Sequence, residues 1–267
     1  FLKFRPDFVF IALHGGIGEN GGIQGFLETL KIPYSGSGIL SSALCLNKIL
    51  CKEILIFNKI PTPPFIILEK NKEIKIPFKF PVVVKPANLG SSVGISKCNS
   101  HSDLAEGLID AARYDRRILI ERGVGNLREV EVSVLGNENP IASVCGEVLP
   151  SREFYSYESK YVDGTSGLII PSQLPNEITE KIREYAIRAY KAIDCAGMAR
   201  ADFFVEVDTE KIYINELNTL PGFTSISMYP KLWQASGLTY AQLVDKLIEL
   251  ALERKLQRDR TERRRTA

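Results

Sequence analysis

The chain reads as an α/β protein built from α+β units, and three observations carry that reading. A short apolar strand runs into a glycine-rich loop and then a helix near the start. Two pairs of strictly alternating segments, Arg128 to Leu149 and Met198 to Asn218, have the period of antiparallel strands. Between and after them lie segments with one apolar stripe at helical spacing.

Taken in order, Asp7 to Leu13 (DFVFIAL) has the length and composition of a buried strand. The loop His14 to Gly22 follows at its carboxyl end, a position where α/β folds bind ligands, and Ile23 to Leu30 reads as a helix. Glycines there also serve plain tight turns. Lys31 to Gly38 is a linker. Ser41 to Lys59 is helical by its apolar spacing and is ended by Pro61, Pro63 and Pro64. Phe80 to Pro86 (FPVVVKP) is a β-branched strand holding Lys85 in an apolar run, where an unpaired ammonium is expensive. The small-residue loop Ala87 to Gly94 can wrap phosphate with its backbone N–H groups, or simply close a hairpin with a lysine at its edge.

Asp103 to Tyr114 is helical, Arg117 to Glu121 is a strand, and Arg122 to Gly125 is a hinge. Arg128 to Leu135 pairs with Ile141 to Leu149. Ser151 to Gly167 is a polar, tyrosine-rich segment without periodicity, long enough to suggest a functional lid. Asn176 caps a helix whose Ile178, Ile182, Ala186, Ala189 and Ile193 form one stripe, and Gly197 ends it. Tyr240 to Leu256 is a last amphipathic helix, followed by a basic, solvated tail.

The hairpin at Met198 to Gly222 carries the densest chemistry. Asp208-Thr209-Glu210 fits a three-residue turn that pairs Val207 with Lys211. In that register Asp202 faces Glu216 and Arg200 faces Asn218, and Ile212, Ile214, Glu216 and Asn218 share a side. Opposed residues have Cβ atoms about 5 Å apart. Two carboxylates and an amide at that range, without His or Cys, suit Mg²⁺ held partly by phosphate oxygens. The same pattern also fits an ordinary hairpin with its charged face in water.

Composition narrows the class. Hydrophobic content of 45%, charged content of 25% and a net charge of +2 are those of a globular protein without a nucleic-acid footprint. No apolar run approaches the roughly 20 residues of a membrane span. Five cysteines, odd in number and without a CxxC pair, point to reduced thiols in a cytoplasm.

Five motifs then carry a resemblance: HGGIGENGGIQGFLE from His14, YSGSG from Tyr34, VVVKPANLGSSVG from Val82, YSYESKY from Tyr155, and RADFF with INELNTLPGFTSISMYP from Arg200. In this order and over nearly the whole chain they resemble D-alanine–D-alanine ligases of the ATP-grasp superfamily. The resemblance implies an ATP-grasp fold of two α+β subdomains, preceded by a remnant of a Rossmann-like N-terminal domain. It implies boundaries at 1–38 for the remnant, 39–120 for the central subdomain, 121–256 for the C-terminal subdomain with lid and metal site, and 257–267 for a disordered tail. The implied reaction is ATP-dependent ligation of two D-alanines through an acyl phosphate, in the cytoplasm, for peptidoglycan precursors. The alternatives are a D-Ala–D-lactate or D-Ala–D-serine ligase, or a non-catalytic Mg-ATP-binding remnant.

Residue by residue, the resemblance implies that Asp202, Glu216 and Asn218 hold two Mg²⁺, with Mn²⁺ as a substitute. Lys48 and Lys85 contact phosphates, with Ser92 in the loop closing over them. Glu121, Gly123, Val124, Glu129 and Phe204 complete the ATP site, the first three at adenine and Glu129 at ribose. Arg200 and the Gly222 N–H stabilise the oxyanion. His14 and Ser91 meet the first D-alanine, and Tyr161 hydrogen-bonds that serine. Lys160 and Ser227 meet the second substrate's carboxylate. Tyr155 stands where ester-forming relatives differ and favours the dipeptide. The family begins with a glycine-rich strand-turn and a Glu that grips an ammonium. Neither precedes Phe1, so the expectation is an N-terminally truncated chain with impaired turnover, homodimeric when full length.

Overall fold

The computed structural model describes residues 6–13, 15–68, 74–90, 92–149, 167–224 and 226–260. Two antiparallel sheets organise it. The first has four strands: β1 (Phe65–Ile67), β2 (Val82–Pro86), β3 (Ser96–Cys98) and β4 (Ile118–Arg122), in the order β1-β4-β2-β3. The second has five: β5 (Leu127–Gly136), β6 (Ile141–Leu149), β7 (Gly167–Ile169), β8 (Gly197–Glu206) and β9 (Ile212–Asn218), in the order β7-β6-β5-β8-β9.

Helices cover the sheets. α1 (Gly22–Thr29), α2 (Ile39–Leu46) and α3 (Lys48–Phe57) come first, and α4 (His101–Ala112) packs on the four-stranded sheet. α5 (Asn176–Ala192), α6 (Met228–Ala235) and α7 (Tyr240–Arg260) follow. The largest core sits on one face of the five-stranded sheet. There the alternating residues Val130, Val132, Ala199, Ala201 and Phe203 meet Ile182, Ala186 and Tyr190 of α5. Burial of such a continuous apolar layer is the main stabilising term. The opposite face of β5, β8 and β9 carries the polar alternates, and this is where the site lies. Among the described residues no helix is long and apolar enough to cross a membrane, and all five cysteines are buried and free.

Several local expectations change. Asp7 to Leu13 forms no extended strand: it makes a single parallel bridge, Val9 with Tyr34, and only Ile11 along it is fully buried. The helix expected over Ser41 to Lys59 is two helices. Asn47 is extended at the break, and its side chain accepts a hydrogen bond from Leu50 N at 3.0 Å, capping α3 so that Lys48 becomes its first residue. Asn176 is likewise the first helical residue rather than the cap, a position that Pro175 takes. α7 runs to Arg260, four residues beyond the expected end, with Arg258 paired to Glu28 of α1.

The hairpin register is reached by another route. Arg200 faces Asn218 and Asp202 faces Glu216, as expected, but Phe203 faces Ile214 and Val205 faces Ile212. Glu206 N donates to Lys211 O at 2.9 Å, so the turn is one residue longer, and a β-bulge leaves Asn215 as the extra residue. The bulge also changes parity. Ile212, Ile214 and Leu217 face the core, whereas Glu216 and Asn218 are only half-buried and line the cavity, so the four residues expected on one side divide between two.

Candidate active site

Strand alternation builds the polar face. On β5, Glu129, Glu131 and Ser133 alternate with the core valines. On β8, Arg200, Asp202, Phe204 and Glu206 alternate with Ala199, Ala201, Phe203 and Val205. Cross-strand pairing then lines up Glu131 with Asp202 and Asp202 with Glu216, so three carboxylates stand in a row over three strands. Arg200 is the cation among them. Its Nε and Nη2 donate to the two Asp202 oxygens at 2.7 Å each, and its Nε lies 3.1 Å from a Glu131 oxygen. Burial opposes charge on Arg200, but Asp202 and Glu131 hold it protonated, well above its ordinary range. Burial pushes the Asp202 carboxyl up to about 7; the Arg200 guanidinium pulls against this, while the Glu131 and Glu216 charges add to it.

The second cluster comes from α3 and the four-stranded sheet. Lys48 and Lys52 are four residues apart and share a helix face. Glu121 of β4, 2% exposed, takes Lys52 on one oxygen at 3.0 Å and Lys85 of β2 on the other at 2.8 Å. Lys85 is therefore paired, as an ammonium in an apolar strand requires, and it also donates to the bulge residue Asn215 at 3.0 Å. Lys52 donates to Thr62 Oγ1 at 2.6 Å and sits 5.7 Å from the Phe65 ring centroid. Burial alone would raise Glu121, but the Lys52 and Lys85 charges hold it below the usual glutamate range. Burial lowers Lys48, against the pull of Glu216. Lys48 Nζ donates to Leu89 O in the small-residue loop, and its backbone N donates to Ala87 O at 2.8 Å.

A cavity of about 410 Å³ opens between these parts, and Lys48, Gly90, Arg200, Glu216, Asn218, Gly222 and Ser227 all line it. Asn218 Oδ1 accepts from Leu220 N at 2.9 Å, which shapes the turn leading to Gly222. A Cβ on Gly222 would stand 2.7 Å from Ser227 Oγ, so a side chain there would push the Ser227 hydroxyl aside. Ser227 Oγ accepts from Thr224 N at 3.0 Å and precedes α6.

Other expected residues lie beyond the cavity lining. Gly123 follows β4 and donates to Pro81 O at 3.0 Å, with Val124 next in the hinge. Glu129 and Phe204 face each other across β5 and β8. Ser92 occupies a left-handed turn position at φ 60°. His14, Ser91, Tyr155, Lys160 and Tyr161 lie outside the described residues.

Four residues of the site were not expected from sequence. Lys52 had a signal, being a lysine at i+4 from Lys48 inside an apolar helix. Glu131 shares the face of Glu129 by simple alternation. Glu19 lines the cavity and its Oε1 accepts from Gly15 N at 2.9 Å. Asn215 had no signal, because the bulge that frees it does not follow from periodicity.

The donor set bears on a metal. Among the described residues no three His, Cys, Asp or Glu side chains group closely enough to hold an ion unaided. Glu216 and Asn218 line the cavity and Asp202, paired with Glu216 across the strands, stands beyond the lining; together they are the partial, all-oxygen set that a hard cation shares with phosphate oxygens. Burial is what raises the Asp202 carboxyl most, with the Glu131 and Glu216 charges adding to it, and a cation beside these carboxylates would favour their ionised forms. Asp202, Glu216 and Asn218 thus fit such an ion.

Comparison with known proteins identifies the family. The family model described as D-ala D-ala ligase C-terminus matches residues 58–249, and that described as D-ala D-ala ligase N-terminus matches residues 2–37. A D-alanine–D-alanine ligase of Caldicellulosiruptor bescii is 52% identical over 262 residues, covering 94% of this chain and 72% of the relative. The structure of a D-alanine–D-alanine ligase from Coxiella burnetii superposes with a TM-score of 0.84 at 36% identity, covering 96% of this chain and 70% of the other. A Bacillus anthracis ligase solved in complex with ATP gives 0.80 at 32% identity, covering 94% and 81%. This chain therefore belongs to the D-alanine–D-alanine ligase family, ATP-dependent ligases with the ATP-grasp fold.

Proposed function

We propose that this chain joins two D-alanine molecules to D-alanyl-D-alanine, converting ATP to ADP and phosphate. The observation that carries the reading is the cavity where Lys48, Arg200, Glu216, Asn218, Gly222 and Ser227 converge from both halves of the molecule. A carboxylate attacking a polyanion needs charge neutralisation and alignment more than covalent help. In this reading the carboxylate of one D-alanine attacks the γ-phosphorus of ATP and ADP leaves. The amine of the second then attacks the acyl carbon, and phosphate leaves from a tetrahedral intermediate.

Each residue has a place in that sequence. Lys48 and Lys85 neutralise phosphate oxygens, with Lys85 fixed by Glu121 and Asn215. Asp202, Glu216 and Asn218 would hold two Mg²⁺, which supply charge neutralisation of the phosphates. Arg200 and the Gly222 N–H receive the developing oxyanion, with donors of this kind worth about 3–4 kcal/mol each. Ser227, with Lys160, recognises the second carboxylate. Ser92 closes over the phosphates with Ser91, and Glu121, Gly123, Val124, Glu129 and Phe204 surround the nucleoside. His14, Ser91, Tyr161 and Tyr155 complete the amino-acid sites. The two α+β halves meet at this cavity, with 39–120 and 121–256 as their extents. The five buried thiols fit a reducing cytoplasm.

Product identification tests the reading. With ATP, Mg²⁺ and an equal mixture of D-alanine, D-lactate and D-serine, the expected product is the D-alanine dipeptide. A dominant ester or D-serine product, or nucleotide binding without any D-alanine-dependent ADP, overturns it.

A further inference from the structure

We infer that Glu131 is a positioning residue for Arg200, a second carboxylate anchor that keeps the guanidinium in place over the cavity. The inference rests on the proposed role of Arg200 at the reacting oxygen. Arg200 has two charged partners, Asp202 on its own strand and Glu131 on the neighbouring strand β5. Asp202 belongs to the set proposed for the metal. With a divalent cation bound, its carboxylate would be shared between the cation and Arg200 and would hold the guanidinium less firmly than it does alone.

Glu131 answers that need. It stands directly opposite Asp202 in the β5–β8 register, and its side chain is 13% exposed. The residue opposite Arg200, Ser133, spends its hydroxyl on Tyr229 O at 3.2 Å and offers no charge. Asp202 takes Nε and Nη2, and the Glu131 oxygen lies 3.1 Å from Nε, on that same edge of the guanidinium. Glu131 itself lines the cavity, so its charge also sets how much cation the row of carboxylates can accept.

The test is Glu131→Gln, which keeps volume and removes the charge. Expected is a loss of D-alanine-dependent turnover of about tenfold to a hundredfold with KM for ATP within about threefold, because misplacing a catalytic group by an ångström or less has that effect. In an Arg200→Lys background the same substitution is expected to lose less than about threefold more, since the effect runs through Arg200. A second readout needs no turnover. The Arg200 Nε–H resonance, assigned by its disappearance in Arg200→Lys, should move in Glu131→Gln and exchange with water at least about tenfold faster. An unchanged Nε–H resonance, or an equal loss of turnover in both backgrounds, overturns the inference. If the parent chain forms no dipeptide, the proposed function fails while the resonance still decides the role of Glu131. Should Glu131→Gln not fold, Glu131→Asp carries the same readouts, with Nε–H displacement expected from its shorter reach.

Discussion

Replacing Glu121 by Gln tests the buried cluster under the phosphate side of the site. The carboxylate is 2% exposed and divides its oxygens between Lys52 at 3.0 Å and Lys85 at 2.8 Å. Gln keeps the volume and can still accept from one lysine, but its NH₂ then faces the other ammonium. The remaining partners, Thr62 and Asn215, are neutral. Breaking a buried pair from one side costs about 3–5 kcal/mol, and the retained acceptor places this change near the lower end. For a chain of this size that corresponds to a fall in Tm of about 6–12 °C. Lys52→Met, which leaves Glu121 paired with Lys85, should cost less. Urea unfolding and thermal melts read both variants. The effect depends on pH. Glu121 is held below its ordinary range, so its contribution is fully present above the unfolded value of about 4.3 and is lost as pH falls through the lower folded value. The gap between parent and variant should therefore close on acidification. A variant melting within about 2 °C of the parent at neutral pH, or a gap indifferent to acid, would refute the reasoning.

Two further outcomes follow from the site itself. Asp202→Ala or Glu216→Ala should abolish Mg²⁺-dependent turnover while the melt shows a folded chain, and Asn218→Asp should be milder because it keeps the acceptor for Leu220 N; wild-type turnover in either alanine variant contradicts the metal assignment. Gly222→Ala keeps the backbone N–H but brings a Cβ to 2.7 Å from Ser227 Oγ, and displacing that N–H should lower turnover by up to about a hundredfold, the effect that losing one oxyanion donor has elsewhere. Adding Ser227→Ala should recover the melting temperature but not the turnover, because it removes the clashing oxygen and with it a proposed substrate contact.

Much of this was legible in the sequence because side-chain parity is a strong signal wherever one face of a sheet is buried. The alternation in β5 and β8 put Arg200 and Asp202 on a common face, and the pairing of Asp202 with Glu216 emerged in the structure as expected. The lysine inside β2 signalled a buried partner, and Glu121 is that partner. What periodicity could not carry was irregularity. The bulge at Asn215 exchanges core and site faces within β9 and delivers an amide to Lys85, and the cap at Asn47 breaks one expected helix in two. Both depend on single-residue backbone choices that leave the hydrophobic pattern nearly unchanged. The first apolar segment misled for a related reason. Its composition suits a central strand, yet its described pairing is one bridge to Tyr34.

In the proposed reaction one D-alanine carboxylate attacks phosphorus, and the amine of another then displaces phosphate at the acyl carbon. Turnover with D-alanine labelled by ¹⁸O in both carboxylate oxygens, followed by mass analysis of the phosphate, tests it most directly. One ¹⁸O is expected in each phosphate released, with one ADP and one dipeptide formed alongside. Phosphate released without ¹⁸O, its fourth oxygen drawn from water, would contradict it.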